Sequence, residues 1–521
     1  MTEAVLRARS ASTLFAGLAS ALLLAAPAGA VPPPPSARSV EIASYAKATY
    51  GEASIATLGE LVGFRTVATE GLANAQNPEF RKLTAYLAAK AKELGFAFED
   101  HGAVVVISTG KSDAKPEDRL GLIVHGDVQP VDPSKWKKDP FLLDAESEPG
   151  KLLGRGAEDD KGPIATALYA MKALADKGLA PNKRIDLVIS YSEESDWVPF
   201  QAFLAGWTAP TLNVGLDADY PVVIAEKGWC SIELGLDPVR EPVSDKTAKG
   251  PRLATFTGGF FLSQVPEDAE ATISGATAES TARLMDAARK DGDVRFTFEP
   301  RPNGDLVVRA RGVSAHSSTP WDGKNAISHL AALLGAESWP DNQAARMVRL
   351  LNDLVGTGVY AEKFGDVGYE HPFMGKATLS LGTLKVVDGR LAAGLNLRRP
   401  VGRTKKQVDD SILEAVEAWS KKNRVPVALK TDVNDPHFVD GAPHIPVLLG
   451  VFAHYTGQAD PKPISVGGGT HARLLPNGVN FGPGMPGEVY TGHSEHEWIG
   501  RDRMLLNLEM YTAMLAELAG K

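Results

Sequence analysis

The chain carries the stretch Gly121-Leu-Ile-Val-His125-Gly-Asp127, in which an apolar run ends in a histidine and an aspartate. Its length and β-branched content predict a buried strand. Alternate side chains share one side of a strand, so His125 and Asp127 would project together, roughly 6.6 Å apart along it. Sites of open α/β sheets form at the carboxyl ends of parallel strands, where a histidine can bind a metal while an aspartate holds its other ring nitrogen. Taken alone, a strand-end histidine bonded to the backbone is the commoner arrangement.

Helical and strand patterns alternate on both sides of this run. Residues 45–62, 78–94 and 163–177 have helical periodicity, whereas residues 104–108 and 184–191 are short apolar runs typical of strands. This alternation predicts an α/β domain with a mainly parallel sheet that helices cover on both faces.

The composition excludes several classes of protein. The chain has 521 residues, 44% of them hydrophobic and 23% charged, which is ordinary for globular domains and argues against long-range disorder. Its net charge is −9, whereas proteins that read nucleic acid usually present a basic face. Cys230 is the only cysteine, so an intrachain disulfide and a zinc ribbon are both impossible.

The first 30 residues have the layout of a secretory signal peptide. Arg7 and Arg9 precede an apolar run over residues 14–26, and Ala28 and Ala30 follow at the spacing of a cleavage site. The run is shorter than the ~20 residues of a membrane span. We therefore expect a periplasmic or secreted protein without membrane contact after cleavage, with an uncleaved anchor helix as the alternative.

The pattern becomes a mixed α+β one between about residues 230 and 434, after which the earlier alternation returns. The simplest architecture is one α/β domain built from both ends of the chain, with an α+β domain inserted between them. The predicted divisions are the signal peptide (1–30), a Pro-rich tether (31–40), the first part of the α/β domain (41–229), the inserted domain (230–434) and the second part of the α/β domain (435–521).

A second motif combines glycines with acidic residues. Residues 154–162 form a glycine-rich turn in which Glu158, Asp159 and Asp160 are adjacent, directly before a helical pattern. A solvated turn with an N-cap aspartate explains this pattern equally well. Alternatively, glycines allow the backbone to approach closely, and an aspartate placed there can bridge two cations.

Further candidate ligands occur later in the chain. Glu193 and Glu194 end another apolar run, and neighbouring residues of a strand point to opposite sides, so one could bind a metal while the other faces a water. Asp217 and His493 follow. Each could be a surface group by itself, but the ordered set supplies nitrogen and oxygen ligands without thiolate, which suits Zn²⁺ or Mn²⁺ hydrolase sites.

Together these motifs resemble the metal-dependent peptidase and deacylase superfamily that includes aminoacylase, carboxypeptidase G and succinyl-diaminopimelate desuccinylase. Its Gly-Arg-Gly-x-x-Asp-Asp-Lys-Gly signature stands at residues 154–162 and its Glu-Glu-Ser at 193–195, and the likeness spans nearly the whole mature chain. The run Asp217-Ala-Asp-Tyr-Pro, the Ala-Glu-Lys-Gly at 225–228 and the long insert are most similar to the dipeptidase branch, which is peptidase V-type and carnosinase-like.

The resemblance implies a zinc-peptidase-like catalytic domain, an inserted lid domain and two divalent ions, with zinc foremost and manganese or cobalt as alternatives. Asp159 would bridge the ions next to a cis Asp159–Asp160 peptide, Asp127 would orient a histidine ligand, and Glu193 would be the general base. The five implied metal ligands are His125, Asp159, Glu194, Asp217 and His493.

The resemblance also implies substrate-binding residues. His316 would close over the scissile bond from the lid and stabilise the developing oxyanion. Arg398, with Arg399 as a substitute, would bind the terminal carboxylate of the substrate. Gln264 is a departure, because relatives often have asparagine there.

The glycine-rich loop at residues 467–470 is part of the same implied substrate site. Gly468, Gly469 and Thr470 would contact the substrate, and His471, directly after the loop, is unusual and would modify specificity.

The predicted function is an exported dinuclear metallopeptidase that hydrolyses dipeptides with a free C-terminal carboxylate through a metal-activated water. An N-acyl-amino-acid deacylase or metallocarboxypeptidase of the same superfamily is the alternative, and a non-catalytic periplasmic peptide- or metal-binding protein is the alternative from another class. The expected partner is a small peptide substrate and not nucleic acid. An insert of roughly 200 residues exceeds one typical domain and resembles the enlarged lid of the family. In some relatives such a lid replaces a dimer partner, so the resemblance implies a monomer, with a homodimer as the alternative.

Overall fold

The computed structural model describes residues 32–110, 112–179, 182–239 and 250–520. The predicted signal peptide lies outside these residues. Within them, none of the helices combines the length and the apolar character that a membrane crossing requires.

The described residues form ten α-helices. In chain order they are α1 (Ala37–Val62), α2 (Pro78–Leu94), α3 (Lys161–Asp176), α4 (Val198–Gly206), α5 (Ala278–Ala288), α6 (Ala326–Leu334), α7 (Gln343–Leu354), α8 (Lys405–Asn423), α9 (Ile445–Thr456) and α10 (Arg501–Ala519).

The strands of the described residues, in chain order, are β1 (Ala97–Asp100), β2 (Val104–Thr109), β3 (Arg119–His125), β4 (Lys151–Leu153), β5 (Arg184–Ser190), β6 (Leu212–Gly215), β7 (Ala218–Asp219), β8 (Val223–Glu226), β9 (Gly228–Leu236), β10 (Arg252–Gly258), β11 (Gln264–Val265), β12 (Asp268–Ser274), β13 (Arg295–Pro300), β14 (Leu306–Arg311), β15 (Ala315–His316), β16 (Glu370–His371), β17 (Gly375–Lys376), β18 (Thr378–Val387), β19 (Arg390–Arg399), β20 (Ala428–Val433), β21 (His437–Phe438), β22 (Ile464–Val466), β23 (Gly478–Asn480), β24 (Pro483–Gly484) and β25 (Trp498–Gly500).

Helix α1 begins at Ala37, eight residues before the predicted start and inside the stretch assigned to the tether. The reason is a local cap, because the Ser36 side chain accepts a hydrogen bond from the Ser39 amide. The Ser36 amide also donates to Glu517 of α10 at 2.7 Å, which ties the two ends of the described chain together.

The first sheet has the strand order β1-β2-β5-β3-β6-β23-β8-β21, with β22 paired to β8. Strands β5, β3, β6 and β23 are parallel, which confirms the predicted α/β class. The sheet is nevertheless mixed instead of mainly parallel. Strands β1 and β2 form a hairpin with a three-residue connection, which only antiparallel strands can have. Strand β2 also pairs antiparallel with β5, and β8 pairs antiparallel with β23 and β21.

Both chain ends cover one face of the first sheet. Helices α1, α3 and α10 pack there on one another through side chains such as Leu58, Leu168 and Leu515, all fully buried. On the other face, Phe200 of α4 packs against Val106 and Val188 of the sheet. Helices on both faces leave the strand ends as the place where polar side chains can gather.

The second sheet contains strands from residues 228–433 in the order β13-β14-β12-β10-β18-β19-β9-β20, all antiparallel. Its core lies on one face only. There Ile232 and Leu234 of β9 join Leu330, Met347 and other residues of the adjoining helices. The opposite face carries polar side chains of β18 and β19.

The chain passes from the first sheet to the second between Glu226 and Gly228, and it returns between Val433 and His437. The two crossings are in direct contact. A Cβ atom at Gly228 would lie 2.4 Å from the carbonyl oxygen of Asn434, so only glycine allows this approach.

Candidate active site

The predicted metal ligands lie at the carboxyl ends of the parallel strands of the first sheet. His125 is the last residue of β3, and Asp217 follows the end of β6 by two residues. Glu194 follows the end of β5, Asp159 directly precedes the first turn of α3, and His493 lies in the loop before β25. The structure therefore brings together all five residues that the sequence singled out.

Two groups of three ligand atoms form in this cluster. One comes from His125, Asp159 and Asp217, the other from Asp159, Glu194 and His493, and in each group the ligand atoms lie within 4.8 Å of one another. Asp159 belongs to both. An imidazole and two carboxylates per group, without thiolate, is a donor set that fits zinc, manganese or cobalt.

The two oxygens of Asp159 face different histidines. Oδ1 lies 2.7 Å from Nε2 of His125, and Oδ2 lies 3.1 Å from Nε2 of His493. A carboxylate that presents one oxygen to each group is placed to bridge two ions. The Asp159–Asp160 peptide is cis, as the resemblance implied.

Charge in the cluster favours cations. Burial alone would lower the pKa of His125, but the charge of Asp217 and hydrogen bonds to Asp127 and Asp159 raise it well above its ordinary value. Burial raises the pKa of Asp217 to about 7. Although burial opposes it, hydrogen bonds with His125 and His493 hold the pKa of Asp159 well below its ordinary value. The carboxylates are crowded together, so a cation placed among them would be stabilised by their negative charge.

Asp127 contacts His125 mainly through its backbone. Nδ1 of His125 lies 3.0 Å from the Asp127 carbonyl oxygen and 3.5 Å from its carboxylate. The carboxylate instead accepts the amides of Glu193 at 3.2 Å and Glu194 at 3.0 Å. Asp127 therefore connects the end of β3 to the turn after β5.

The prediction that Glu193 and Glu194 lie on a strand is wrong. Strand β5 ends at Ser190, so both glutamates lie in the following turn. Glu194 reaches His493, with oxygen–nitrogen distances of 2.9 Å, and accepts a hydrogen bond from Gln129. Burial, followed by the charge of Asp217, raises the pKa of the Glu193 carboxyl well above its ordinary value.

Two buried carboxylates hold the loops that carry Asp159 and His493. Glu497 accepts the amides of Gly156, Glu158 and Asp159 and pairs with Arg155 at 2.8 Å. Sequence reasoning missed Glu497, because a glutamate in a polar loop shows no sign of its burial.

Glu158 makes the reciprocal contacts. It accepts the amides of Thr491 and Gly492 and pairs with Arg503 at 2.8 Å. These bonds fix the segment before His493, whose φ of +63° lies in the left-handed region that non-glycine residues rarely adopt.

Tyr490 was also missed. Its hydroxyl donates to Oδ2 of Asp159, and its ring centroid lies 6.0 Å from that of His493. No sequence signal other than its place three residues before His493 pointed to it.

His316 reaches this site from the inserted part of the same chain. It lies on β15, which pairs with β11 so that His316 is opposite Gln264, and Gln264 itself donates to Ser314. The ring centroids of His316 and His493 are 5.9 Å apart. Burial, followed by the charge of Arg398, lowers the pKa of His316 to about 3, so its ring is neutral at physiological pH.

The two adjacent arginines of β19 have different surroundings. Arg399 binds the carbonyl oxygens of Asn434 and Arg403 and the carboxylate of Asp435, so its guanidinium is occupied within the protein. Arg398 is buried as well, but it donates only to Asn396 at 2.9 Å and to the Gly467 carbonyl at 3.3 Å. In the described part of the chain it has no acidic partner.

The glycine-rich loop contacts two parts of the inserted domain, Arg398 on β19 and the segment at Ser318. A Cβ at Gly467 would lie 2.6 Å from the carbonyl oxygen of Ser318, whereas the space beside Gly468 is open. At Gly469, a Cβ would lie 2.5 Å from the side chain of Arg473. The Thr470 hydroxyl, predicted to contact substrate, donates instead to Glu226 at 2.8 Å, because this carboxylate is buried and needs donors.

His471 is buried, and burial followed by the charge of His125 lowers its pKa well below the ordinary value. Its ring stacks on Phe200 with centroids 4.1 Å apart and planes inclined by 4°, and it meets Trp197 edge-on. It is therefore packed in an aromatic cluster below the loop.

Comparison with known proteins places this geometry in a family. The model of peptidase family M20/M25/M40 matches residues 121–517. The putative dipeptidase YtjP of Bacillus subtilis (strain 168) is 33% identical over 410 residues, which are 77% of this chain and 83% of that protein. The Beta-Ala-Xaa dipeptidase of Lactobacillus delbrueckii subsp. lactis is 29% identical over 405 residues, 77% of this chain and 82% of that protein.

Human carnosine dipeptidase 1 has a similar fold, with a TM-score of 0.57 at 16% identity over 93% of this chain and all (100%) of that chain. The chain belongs to peptidase family M20/M25/M40. The prediction of a metal-dependent peptidase with an α/β catalytic domain and a second sheet is thereby confirmed at the level of the family.

Glu497→Gln should destabilise the protein and reduce its metal content. In the variant, an amide nitrogen would replace one carboxylate oxygen and face two N–H donors, from which it cannot accept a hydrogen bond. Leaving buried donors unsatisfied costs about 1–3 kcal/mol. The first measurement is the free energy of unfolding in urea, on protein from which a chelator has removed the metal. The second is the number of metal ions per chain after metal has been added back. Glu495→Gln, two residues away in the same loop, is the control. Unchanged stability and metal content in Glu497→Gln would contradict the anchoring role.

Proposed function

We propose that the protein is a dipeptidase that cleaves substrates with a free C-terminal carboxylate. The observation that carries the proposal is Arg398, a buried guanidinium without an acidic partner among the described residues, whose charge acts on His316 beside the candidate metal ligands. Two relatives that share 33% and 29% of their residues with this chain are named as dipeptidases, one of them putatively.

In this proposal His125, Asp159 and Asp217 hold one divalent ion, and Asp159, Glu194 and His493 hold another. When bound, such ions, zinc foremost and manganese or cobalt as alternatives, would polarise the peptide carbonyl and lower the pKa of a water. The chain's own task is then to orient the substrate and move protons.

Glu193 is the proposed general base. It is half-buried beside the cluster without being part of either ligand group, and its raised pKa is suited to accepting a proton and giving it later to the leaving amine. The bond between its amide and Asp127 fixes the start of the side chain.

His316 is the proposed donor to the developing oxyanion. The Ser318 amide donates to Nδ1 of His316 at 3.3 Å, so the neutral ring carries its proton on Nε2. A neutral N–H donor held by a neighbouring backbone group can stabilise negative charge without reorganising. Because His316 reaches the site of its own chain, the arrangement supports a monomer as the active form.

Arg398 is the proposed clamp for the substrate's α-carboxylate. Only two of its contacts are made within the described protein, so donors remain for a charge-assisted pair with the substrate.

Export of the protein belongs to the same proposal and rests on the sequence of the first 30 residues alone. N-terminal sequencing of protein from the periplasm or the medium should give Val31 as the first residue, and an intact Met1 would contradict cleavage.

The mature protein should hydrolyse dipeptides, lose this activity to chelators and regain it with Zn²⁺, Mn²⁺ or Co²⁺. The reason is the pair of nitrogen–oxygen ligand groups that share Asp159. The measurement is a panel of dipeptides beside N-acetyl amino acids, with metal content determined in parallel. Full activity in protein shown to be free of metal would contradict the proposal, and a preference for N-acetyl amino acids would indicate a deacylase.

Glu193→Gln and Glu194→Gln should have different effects. Glu193→Gln keeps the shape but cannot accept a proton, so we expect normal metal content and kcat reduced by at least ~10²-fold. Glu194→Gln should lower metal content and recover part of its activity at high metal concentration. Metal analysis beside kcat for both variants is the test. Loss of metal in Glu193→Gln alone would mean that the two roles are exchanged.

Arg398→Ala should impair free-acid dipeptides far more than the same dipeptides amidated at the C-terminus. Loss of a charge-assisted pair is worth roughly 1.5–3 kcal/mol, or about ten- to a hundred-fold in kcat/KM. Equal losses on acid and amide would show that Arg398 is not the clamp.

His316→Ala should lower kcat by about 10²–10³-fold while metal content stays normal, as expected for loss of one oxyanion donor. Elemental analysis and steady-state kinetics on the same preparation provide the test. A metal-depleted variant would show instead that His316 is a ligand or a folding residue.

A further inference from the structure

Four cationic side chains surround the end of β19, but only two of them have acidic partners. Arg399 pairs with Asp435, and Arg473 lies 3.8 Å from Glu226. Arg398 and Lys227 have no ion pair with any described residue. Because both are buried, with 6% of their surface exposed in each case, they form a cationic pocket without a countercharge.

Lys227 and Arg398 lie against the same segment of chain. The Lys227 amide donates to the carbonyl of Val466 at 3.1 Å, and Arg398 donates to the next carbonyl, that of Gly467. The Lys227 ammonium has one contact, at 2.5 Å, with the carbonyl oxygen of Lys376. Burial, followed by the charge of Arg398, lowers the pKa of Lys227, which shows that the two cations act on each other.

The neighbouring strands add polar groups that also have no partner. Thr378 pairs in register with Arg398, and Ser380 with Asn396, on the two adjacent strands β18 and β19. The hydroxyls of Thr378 and Ser380 and the amide nitrogen of Asn396 are buried and make no hydrogen bond within the described chain. Since the Asn396 oxygen accepts from Arg398, its amide group must present N–H donors to the pocket.

We propose that this pocket binds two carboxylates, and that the preferred substrates are dipeptides with aspartate or glutamate at the C-terminus. Arg398 holds the α-carboxylate, Lys227 holds the side-chain carboxylate, and Asn396, Thr378 and Ser380 supply further hydrogen bonds. This inference rests on the proposed dipeptidase function and names the substrate class of the same site.

Charge explains why one carboxylate is insufficient. The α-carboxylate of a substrate with a neutral C-terminal side chain neutralises the charge of Arg398 but leaves the charge of Lys227 buried and uncompensated. A buried charge without a partner is destabilising. An acidic side chain neutralises the second cation and uses donors that otherwise have no acceptor. Discrimination against an analogue that leaves such groups unpaired is strong.

The test compares substrates of equal size that differ in charge, Ala-Glu with Ala-Gln and Ala-Asp with Ala-Asn, on the metal-loaded mature protein. At least one acidic substrate should exceed its amide in kcat/KM by about ten- to a hundred-fold, mainly through KM. Lys227→Met, which keeps length and apolar stem, should remove this preference by lowering kcat/KM for the acidic substrates far more than for the amides. Lys376→Met is the matched control, because that lysine side chain is exposed over the ring of Tyr360.

The outcomes separate this inference from the function on which it rests. Equal kcat/KM for both acids and their amides in the unmodified protein overturns the acidic preference and leaves the dipeptidase proposal intact. Equal losses on acid and amide in Lys227→Met also overturn it, because Lys227 would then serve the α-carboxylate. If metal-loaded protein cleaves no dipeptide, both proposals fail. The comparison in the unmodified protein decides even if Lys227→Met does not fold.

Discussion

The site depends on two loops, each of which contributes a buried carboxylate that binds the backbone of the other. Glu497, from the loop of His493, binds the amides of the loop that carries Asp159, and Glu158, beside Asp159, binds the amides before His493. Burying a carboxylate costs several kcal/mol unless a cation and hydrogen bonds offset it, and here Arg155 and Arg503 supply the cations. Because each loop is held by a residue of the other, these bonds fix the position of Asp159 relative to His493.

The crossings between the two sheets form the other half of the site. Glu226 binds Thr470 of the glycine-rich loop, Lys227 enters the cationic pocket, and Gly228 allows the contact with Asn434 in the segment that returns to the first sheet. Arg399 binds the same Asn434 carbonyl. The segment that connects the sheets therefore also borders the proposed carboxylate clamp, so a change in the connection would also affect the proposed substrate contacts.

Much of the metal centre could be predicted from sequence because its determinants are local. His125 ends an apolar strand and Asp159 lies in a glycine-rich turn before a helix, and the family resemblance carried by these short motifs implied that both are ligands. Glu497 could not be predicted in this way, since its partner Gly156 is 341 residues away and only the closed fold buries it. The helix α4 and the hairpin strand β1 were also missed, because short elements carry too little periodicity.

Adjacent residues of the same type also limited what could be predicted from the sequence. Arg398 and Arg399 are equivalent by composition, and strand alternation says only that they face opposite sides. The structure distinguishes them through Asp435, which occupies one guanidinium and leaves the other without an acid in the described chain. For Glu193 and Glu194, strand alternation does not apply, because the predicted strand is a turn at these residues. The two glutamates differ instead in that Glu194 contacts His493.

Charge is distributed unevenly along the proposed substrate path. The end with the candidate metal ligands carries an excess of carboxylates, whereas the end with Arg398 carries buried cations. A peptide would therefore bind in one orientation only, with its C-terminal carboxylate toward Arg398. His316 lies between the two ends, and the charge of Arg398 contributes to keeping its ring neutral. A neutral His316 can donate a hydrogen bond but does not carry a positive charge that would compete with the ions for a carboxylate. The arginine that would recognise the substrate therefore also adds to the effect of burial in keeping neutral the residue that would act on its scissile bond.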